Sequence, residues 1–490
     1  MKNILIYSIF ILAEKLNFVK ISDGISMENT VEKIDFKTRI KKNPAWYGLL
    51  FTLFTFFLLP EYVSPFILFA AFIVFKRQWK KEGRLAKVGN IGKLEMAFMC
   101  LMLVSTLWSP TKLDTLGSAG LWWAVILVQV MIYNLARTKE RIDKVISVIV
   151  ASAAVNGIVG GIQLTTFVLN ANKYTPAWTV LPTPFYRYID TAVYTAMPFK
   201  IGTFMWANRA SGFFSNPNLL ASFMLVAFPL GIYLLFNSET KKEKIRRFTA
   251  LTFISFGMAS TQTRAGCYVM LGAWAVIFVL FIRRRALQML ALFIPTGGST
   301  IFALLVRYGK INIYPNVTFL PVSPEEALLS SARHLEIWGD LIDHITHHIS
   351  VFIIGMGFGC EQTGNILINN YNLKKPHAHN FVIEMWAELG VIGVVFLLFI
   401  IVYALGKLLE VKPVDFKVLS LKLTAFASFI SLLIFGLSDY IFNSPKQIIL
   451  FMICIGLIQA ISYTYDKKEI DSLKDIPKIT TNELQNIIKQ

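Results

Sequence analysis

Residues 218–285 read NLLASFMLVAFPLGIYLLFNSETKKEKIRRFTALTFISFGMASTQTRAGCYVMLGAWAVIFVLFIRRR. Three apolar runs, 218–236, 248–260 and 266–282, are separated first by the strongly basic stretch 241–247 and then by the short break TQTR, and the last run closes on three consecutive arginines. A helix needs about 20 residues to cross the ~30 Å hydrocarbon core of a bilayer, so the shorter runs must extend into their polar flanks. Basic residues follow every second run, which is the asymmetry that orients helices in a membrane. The stretch therefore reads as three antiparallel membrane helices with their lysines and arginines gathered on one side.

The same pattern continues in both directions. Upstream, apolar segments fall at 45–59, 62–75, 94–108, 116–136 and 142–169; downstream they fall at 286–306, 381–405, 419–442 and 445–463. This gives about twelve transmembrane helices in an all-α integral membrane protein. The first two, separated only by Pro60 and Glu61, form either a hairpin or one broken helix. Basic clusters at 33–42, 76–87, 137–144, 241–247, 283–285 and 407–422, with Lys467, Lys468 and Lys474, all fall on the same side of this arrangement. By the positive-inside rule that side is the cytoplasm, and both termini lie there.

Composition agrees. Of 490 residues, 55% are hydrophobic and 16% charged, and the mean hydropathy is +0.56, outside the range of a soluble domain. The net charge of +18 would suggest nucleic acid in a soluble chain, but here it sits in short loops beside apolar runs, so it is topological and no nucleic-acid partner is implied. Cys100, Cys267, Cys360 and Cys454 are too scattered for a disulfide framework or a metal site.

The organisation predicted is a cytoplasmic or interfacial segment at 1–44, a polytopic domain at 45–465 and a cytoplasmic tail at 466–490. Two long extracytoplasmic loops, about 170–217 and 308–380, are the working parts, because loops of this length are uncommon without a function. The second carries its own helix signal: Leu328, Ala332, Leu335, Trp338, Leu341, Ile345, Ile349 and Phe352 recur at three- and four-residue spacing, as in a helix on the membrane surface or packed on the bundle.

Four external features stand out: Arg209 in RASGFFSNPN, Arg264 in TQTR, Arg333 in SSARHLEIW and His379 in HAHNFVIEMWAELG. Arg264 is the sharpest, since a charge between two apolar spans is costly; the plain alternative is an interfacial arginine whose head reaches water. Guanidinium suits phosphate because its planar fork donates paired hydrogen bonds and keeps its charge, so three such residues point to an anionic ligand. His379 begins a helix and is a candidate general base, or else a histidine that faces water. Asp340, His344, His347 and His348, with His377 and His379, have metal-like spacing, but they also supply the polar face that an amphipathic helix requires, and no metal is assigned. GMGFG at 355–359 lacks the strand and the lysine of a nucleotide loop and reads as a tight turn.

Taken in order, RASGFFSNPNLLA, TQTRAG, RHLEIW, GMGFG and HNFVIEMWAELGVIG resemble the O-antigen ligase and polymerase superfamily over about 209–440. The resemblance implies a glycosyltransferase of the GT-C type that works outside the cytoplasmic membrane without a cofactor. Its donor is a glycan on undecaprenyl diphosphate, and its acceptor is a glycan, lipid, wall polymer or protein. By motif, Arg209 and Arg264 would hold the diphosphate and His379 would activate the acceptor hydroxyl. Arg333 and Asn380 would contact substrate, while Asp439 in LSDYIFNSPK would bind sugar hydroxyls, orient a cation or simply face the surface. A polymerase of the same superfamily shares these motifs, and a lipid-linked glycan transporter is the reading from another class; it requires charge near the bilayer midplane, which the sequence does not display.

Overall fold

The computed structural model describes residues 36–59, 63–170, 209–308, 311, 324–359, 361–371, 377–442 and 444–466. The expectations for the N-terminal segment up to residue 35, for most of the 170–217 loop and for the tail beyond residue 466 lie outside them. Among the described residues the chain is all-helical apart from turns and one isolated bridge at Arg209. In order the helices are α1 (Phe36–Lys42), α2 (Pro44–Thr55), α3 (Ser64–Lys81), α4 (Gly89–Val104), α5 (Lys112–Leu135), α6 (Lys139–Asn170), α7 (Pro217–Phe236), α8 (Lys241–Thr261), α9 (Arg264–Arg307), α10 (Pro324–His347), α11 (Ile349–Ile354), α12 (Glu361–Tyr371), α13 (Phe381–Glu410), α14 (Phe416–Gly436) and α15 (Pro445–Thr464). Among the described residues, eight helical stretches are long and apolar enough to cross a membrane, which makes this a multi-pass membrane protein.

The first pair is a hairpin and not one broken helix. Ala45 N–H at the start of α2 donates to Gln78 Oε1 near the end of α3, and Ser64 Oγ donates to Phe56 O at the turn. The reversal of the chain near the RRR run is also visible. A straight helix of the 44 residues assigned to α9 would separate its ends by about 65 Å. Instead Tyr268 and Tyr308 hydroxyls meet at 2.9 Å, Thr300 Oγ1 lies 3.9 Å from Met270 Sδ, and the Trp274 and Phe293 rings pack edge-to-face at 5.5 Å. The two halves of α9 are therefore antiparallel, and Arg264 and Arg307 stand at the same end of the bundle.

At the other end, α7 terminates beside a basic cleft of about 500 Å³ lined by Lys139, Lys144, Arg246, Arg247 and Lys417 together with Asp143, which Tyr233 and Lys417 bind. The described basic clusters thus collect opposite the end where α7 begins. One polar group inside the bundle departs from the sequence reading: Glu95, fully buried in α4, accepts from Gln129 at 2.5 Å, and Gln129 in turn reaches Gln459.

Helix α10 packs on the bundle through Ile337, Leu341 and Ile345, whereas Leu335 and Ile349 of the expected stripe are exposed. Leu341 and Ile345 belong to that stripe and meet Met356, Ala378 and Ala387 in a small satellite core, with Phe352 of the same stripe packed against it. GMGFG is more than a turn. Met356 and Gly357 amides donate to the Ala387 and Glu388 carbonyls, capping the first turns of α13 where Gly390, at φ +67°, breaks that helix. A Cβ on Gly355 would lie 2.2 Å from Glu388 O, and one on Gly390 would lie 2.2 Å from Ile353 O. Only glycine permits these two backbones to touch.

Candidate functional site

Residues 209–213 lie along the ends of α6 and α8. Gln163 Oε1 accepts from the Ser211 and Gly212 amides, Asn156 Oδ1 accepts from Phe213 N–H, and Ala210 N–H donates to Ser260 O. Gly212 has φ +58°, which its position in this turn requires. The buried Lys446 donates to Phe213 O at 2.7 Å, tying the Arg209 segment to the start of α15.

Held this way, the half-buried Arg209 donates from Nε to Thr261 O at 2.9 Å and from Nη2 to Asn218 Oδ1 at 2.6 Å and Thr263 Oγ1 at 2.8 Å. Asn218 is in the first turn of α7 and Thr263 is the N-cap of α9, so one guanidinium joins three helix ends. Burial, reinforced by the neighbouring Arg307 and Arg264 charges and opposed by Asp439, pushes the Arg209 guanidinium down to about 10, and it remains a cation at neutral pH.

A cleft of about 340 Å³ opens here, lined by Arg209, Arg264, Arg307, His334, Tyr268 and Tyr308 among others. Three arginines from separate stretches of chain converge on it beside the N-terminus of α9, where backbone N–H groups also favour an anion. Converging guanidinium charges of this kind favour an anionic guest.

The second half of the site borders the first. His379 Nδ1 lies 3.2 Å from Asp439 Oδ1, and both side chains are largely enclosed, 19% and 9% exposed. Burial pushes the Asp439 carboxyl up, but the hydrogen bond and charge of His379, the His377 charge and the Tyr440 amide outweigh it and leave the group below its ordinary value. The ring of His334, a cleft residue, stacks on that of His379 at 5.0 Å. His379 and Gln262 are the non-glycine residues with positive φ among those described, and both border the site. Such conformations cost roughly 1–3 kcal/mol and persist where surrounding structure imposes them.

The sequence candidates divide accordingly. Arg209, Arg264, His379 and Asp439 come together. Arg333 is exposed on α10 and absent from the described lining of the cleft, which His334 enters instead. Asn380 is the N-cap of α13: its Oδ1 accepts from the Val382 and Ile383 amides and its Nδ2 donates to Leu437 O. Sequence reading missed Arg307 and His334. Arg307 carries the signal that singled out Arg264, an arginine at the end of a span opposite the basic side.

For a metal, the described residues bring together His377, His379 and Asp439, with ligand atoms within 4.8 Å of one another. The His-rich α10 set does not converge in the same way: His347 and His348 direct Nδ1 to the Asp343 and His344 carbonyls and are exposed. Cys100, Cys267 and Cys454 are free thiols.

No curated protein matches this chain. A family model described as Wzy_C, O-Antigen ligase, matches residues 248–398, a span that holds Arg264, Arg307, His334 and His379 and ends before Asp439. Over residues 248–398 the chain is thus similar to the O-antigen ligase family, in line with the ordered motifs and the membrane bundle.

Proposed function

We propose that the protein is a GT-C-type glycosyltransferase with about twelve transmembrane helices that transfers a glycan from a lipid diphosphate, undecaprenyl diphosphate, to an acceptor hydroxyl outside the cytoplasmic membrane. The observation that carries this reading is the convergence of Arg209, Arg264 and Arg307 on one cleft that His334 links to the His379–Asp439 pair.

The chemistry follows from the parts. Attack of the acceptor oxygen on the anomeric carbon forms one C–O bond and breaks the bond to the diphosphate, which leaves with the electron pair as lipid diphosphate. Negative charge grows on the leaving oxygen, and fixed guanidinium groups stabilise it in a poorly solvated site. The acceptor proton goes to Nε2 of His379, while Asp439 at Nδ1 selects the tautomer and stabilises the imidazolium, a division of labour familiar from hydrolase triads. Such a base contributes roughly 10²- to 10⁴-fold. Asn380 caps α13 and holds the histidine beside it. Arginine cations meet the diphosphate charge, so this reading requires neither metal nor cofactor.

The basic end of the bundle is assigned to the cytoplasm and the cleft to the exterior, in keeping with the distribution of lysine and arginine. Ligase and polymerase chemistry use the same site and differ in the acceptor. Reconstitution with a lipid diphosphate-linked oligosaccharide and candidate acceptors, read by product mass, tests the proposal: a new glycan–acceptor conjugate is expected for a ligase and a longer chain on the same lipid for a polymerase. A donor left intact with every acceptor, under conditions in which the protein is folded, would sink the reading.

A further inference from the structure

Two buried carboxylates in α13 have no part in the chemistry above. Glu384 and Glu388 are 0% exposed and one helical turn apart on the same face. Glu384 Oε2 accepts from Ala378 N–H at 2.5 Å, and the two Glu388 oxygens accept from Tyr440 O–H at 3.0 Å each. Ala378 immediately precedes His379, and Tyr440 immediately follows Asp439. Each member of the His379–Asp439 pair is thus flanked by a residue bound to one of two carboxylates on a single rigid helix.

We infer that Glu384 and Glu388, the latter through Tyr440, are positioning residues that set the His379-to-Asp439 geometry from below, an inference that rests on the proposed role of that pair. The arrangement explains why carboxylates stand at these depths. Burying an acidic side chain is expensive unless its oxygens are hydrogen-bonded, and here one Glu384 oxygen and both Glu388 oxygens are bonded to the two loops whose relative placement matters. The Tyr440 amide also donates to Asp439 Oδ1 at 3.0 Å, so fixing the Tyr440 ring fixes the carboxylate that His379 contacts. The His377 amide neighbour, Ala378, is further held by its carbonyl, which accepts from Trp338 Nε1 at 2.7 Å. Helix α10 and Glu384 therefore hold the two successive peptide groups that flank Ala378, and the left-handed backbone of His379 begins one residue later.

The test is a kinetic cycle on the purified full-length protein in lipid vesicles, with lipid diphosphate-linked oligosaccharide as donor. Tyr440→Phe removes one hydroxyl and keeps the ring. It is expected to lower kcat about 10- to 100-fold with the donor KM unchanged, the scale of a misplaced catalytic group. Combined with Asp439→Asn it should add nothing to the residual rate of Asp439→Asn alone, because it acts through that residue. Glu388→Gln and Glu384→Gln keep an acceptor oxygen and should retain more activity than the corresponding alanine variants. Wild-type kcat in Tyr440→Phe, or losses that multiply with Asp439→Asn, would overturn the inference while leaving the functional reading intact. Wild-type rates in Asp439→Asn and His379→Ala would instead overturn the functional reading itself.

Discussion

His334 stacks on His379 with ring centroids 5.0 Å apart and planes within 10° of parallel, which joins a wall of the arginine cleft to the proposed base. Ring pairs of this kind are worth about 0.5–1.5 kcal/mol, up to roughly a tenfold rate if the stack orients the base. His334→Phe is therefore expected to keep most of the transfer rate, and His334→Ala to lose about tenfold. Equal loss in both variants would mean that the imidazole itself is needed.

Arg307 was not singled out from sequence, yet it faces the same cleft as Arg209 and Arg264. Arg307→Ala is expected to reduce transfer by about 10²-fold, comparable with removal of one preorganised oxyanion donor. Arg264→Lys should also lose activity, because a point charge does not reproduce a two-pronged contact with phosphate. Initial rates in vesicles measure both, and full activity in Arg307→Ala would remove that residue from the site.

His377, His379 and Asp439 lie close enough together to hold a cation, which makes the metal question concrete. If arginines meet the diphosphate charge, protein stripped with a strong chelator should transfer at the rate of untreated protein. Added zinc should inhibit by occupying the base. Loss of activity on chelation, restored by one metal, would assign the trio to metal binding.

The close contact between GMGFG and the break in α13 predicts a stability effect. Gly390→Ala and Gly355→Ala each force a Cβ against backbone at 2.2 Å in a positive-φ conformation, at a cost of about 2 kcal/mol or more. Both variants should melt earlier in detergent than wild type, whereas Gly406→Ala, with nothing near its added Cβ, should not.

Much of this fold was legible because membranes simplify the code. The RRR run at 283–285, set between two apolar runs, marks the reversal within α9, and cross-contacts such as Trp274 with Phe293 agree with it. Arg264 was visible for the same reason, as a charge where charge is disfavoured. The partners of the site were not visible. Asp439 was a candidate in LSDYIFNSPK, but its pairing with His379 across 60 residues of chain has no local signal. Glu384 and Glu388 were not singled out, because their partners Ala378 and Tyr440 lie in loops and, for Tyr440, 52 residues away. On α10, Leu335, a member of the expected stripe, faces outward. Leu341 and Ile345 of the expected stripe are buried, and Ile337 takes the inward place expected of Leu335.

Sidedness has its own check. An epitope tag placed next to Gln262 in the α8–α9 connection should be reached by antibody from outside intact cells, and one in the 241–247 segment only after permeabilisation. The opposite pattern would move the cleft to the cytoplasm.

The most direct test of the whole account is single-turnover transfer from a saturating lipid diphosphate-linked glycan by purified His379→Ala beside wild type. The account predicts unchanged donor affinity and a transfer rate at least about 100-fold lower, the least that a general base contributes. A His379→Ala protein that transfers glycan at the wild-type rate would contradict it.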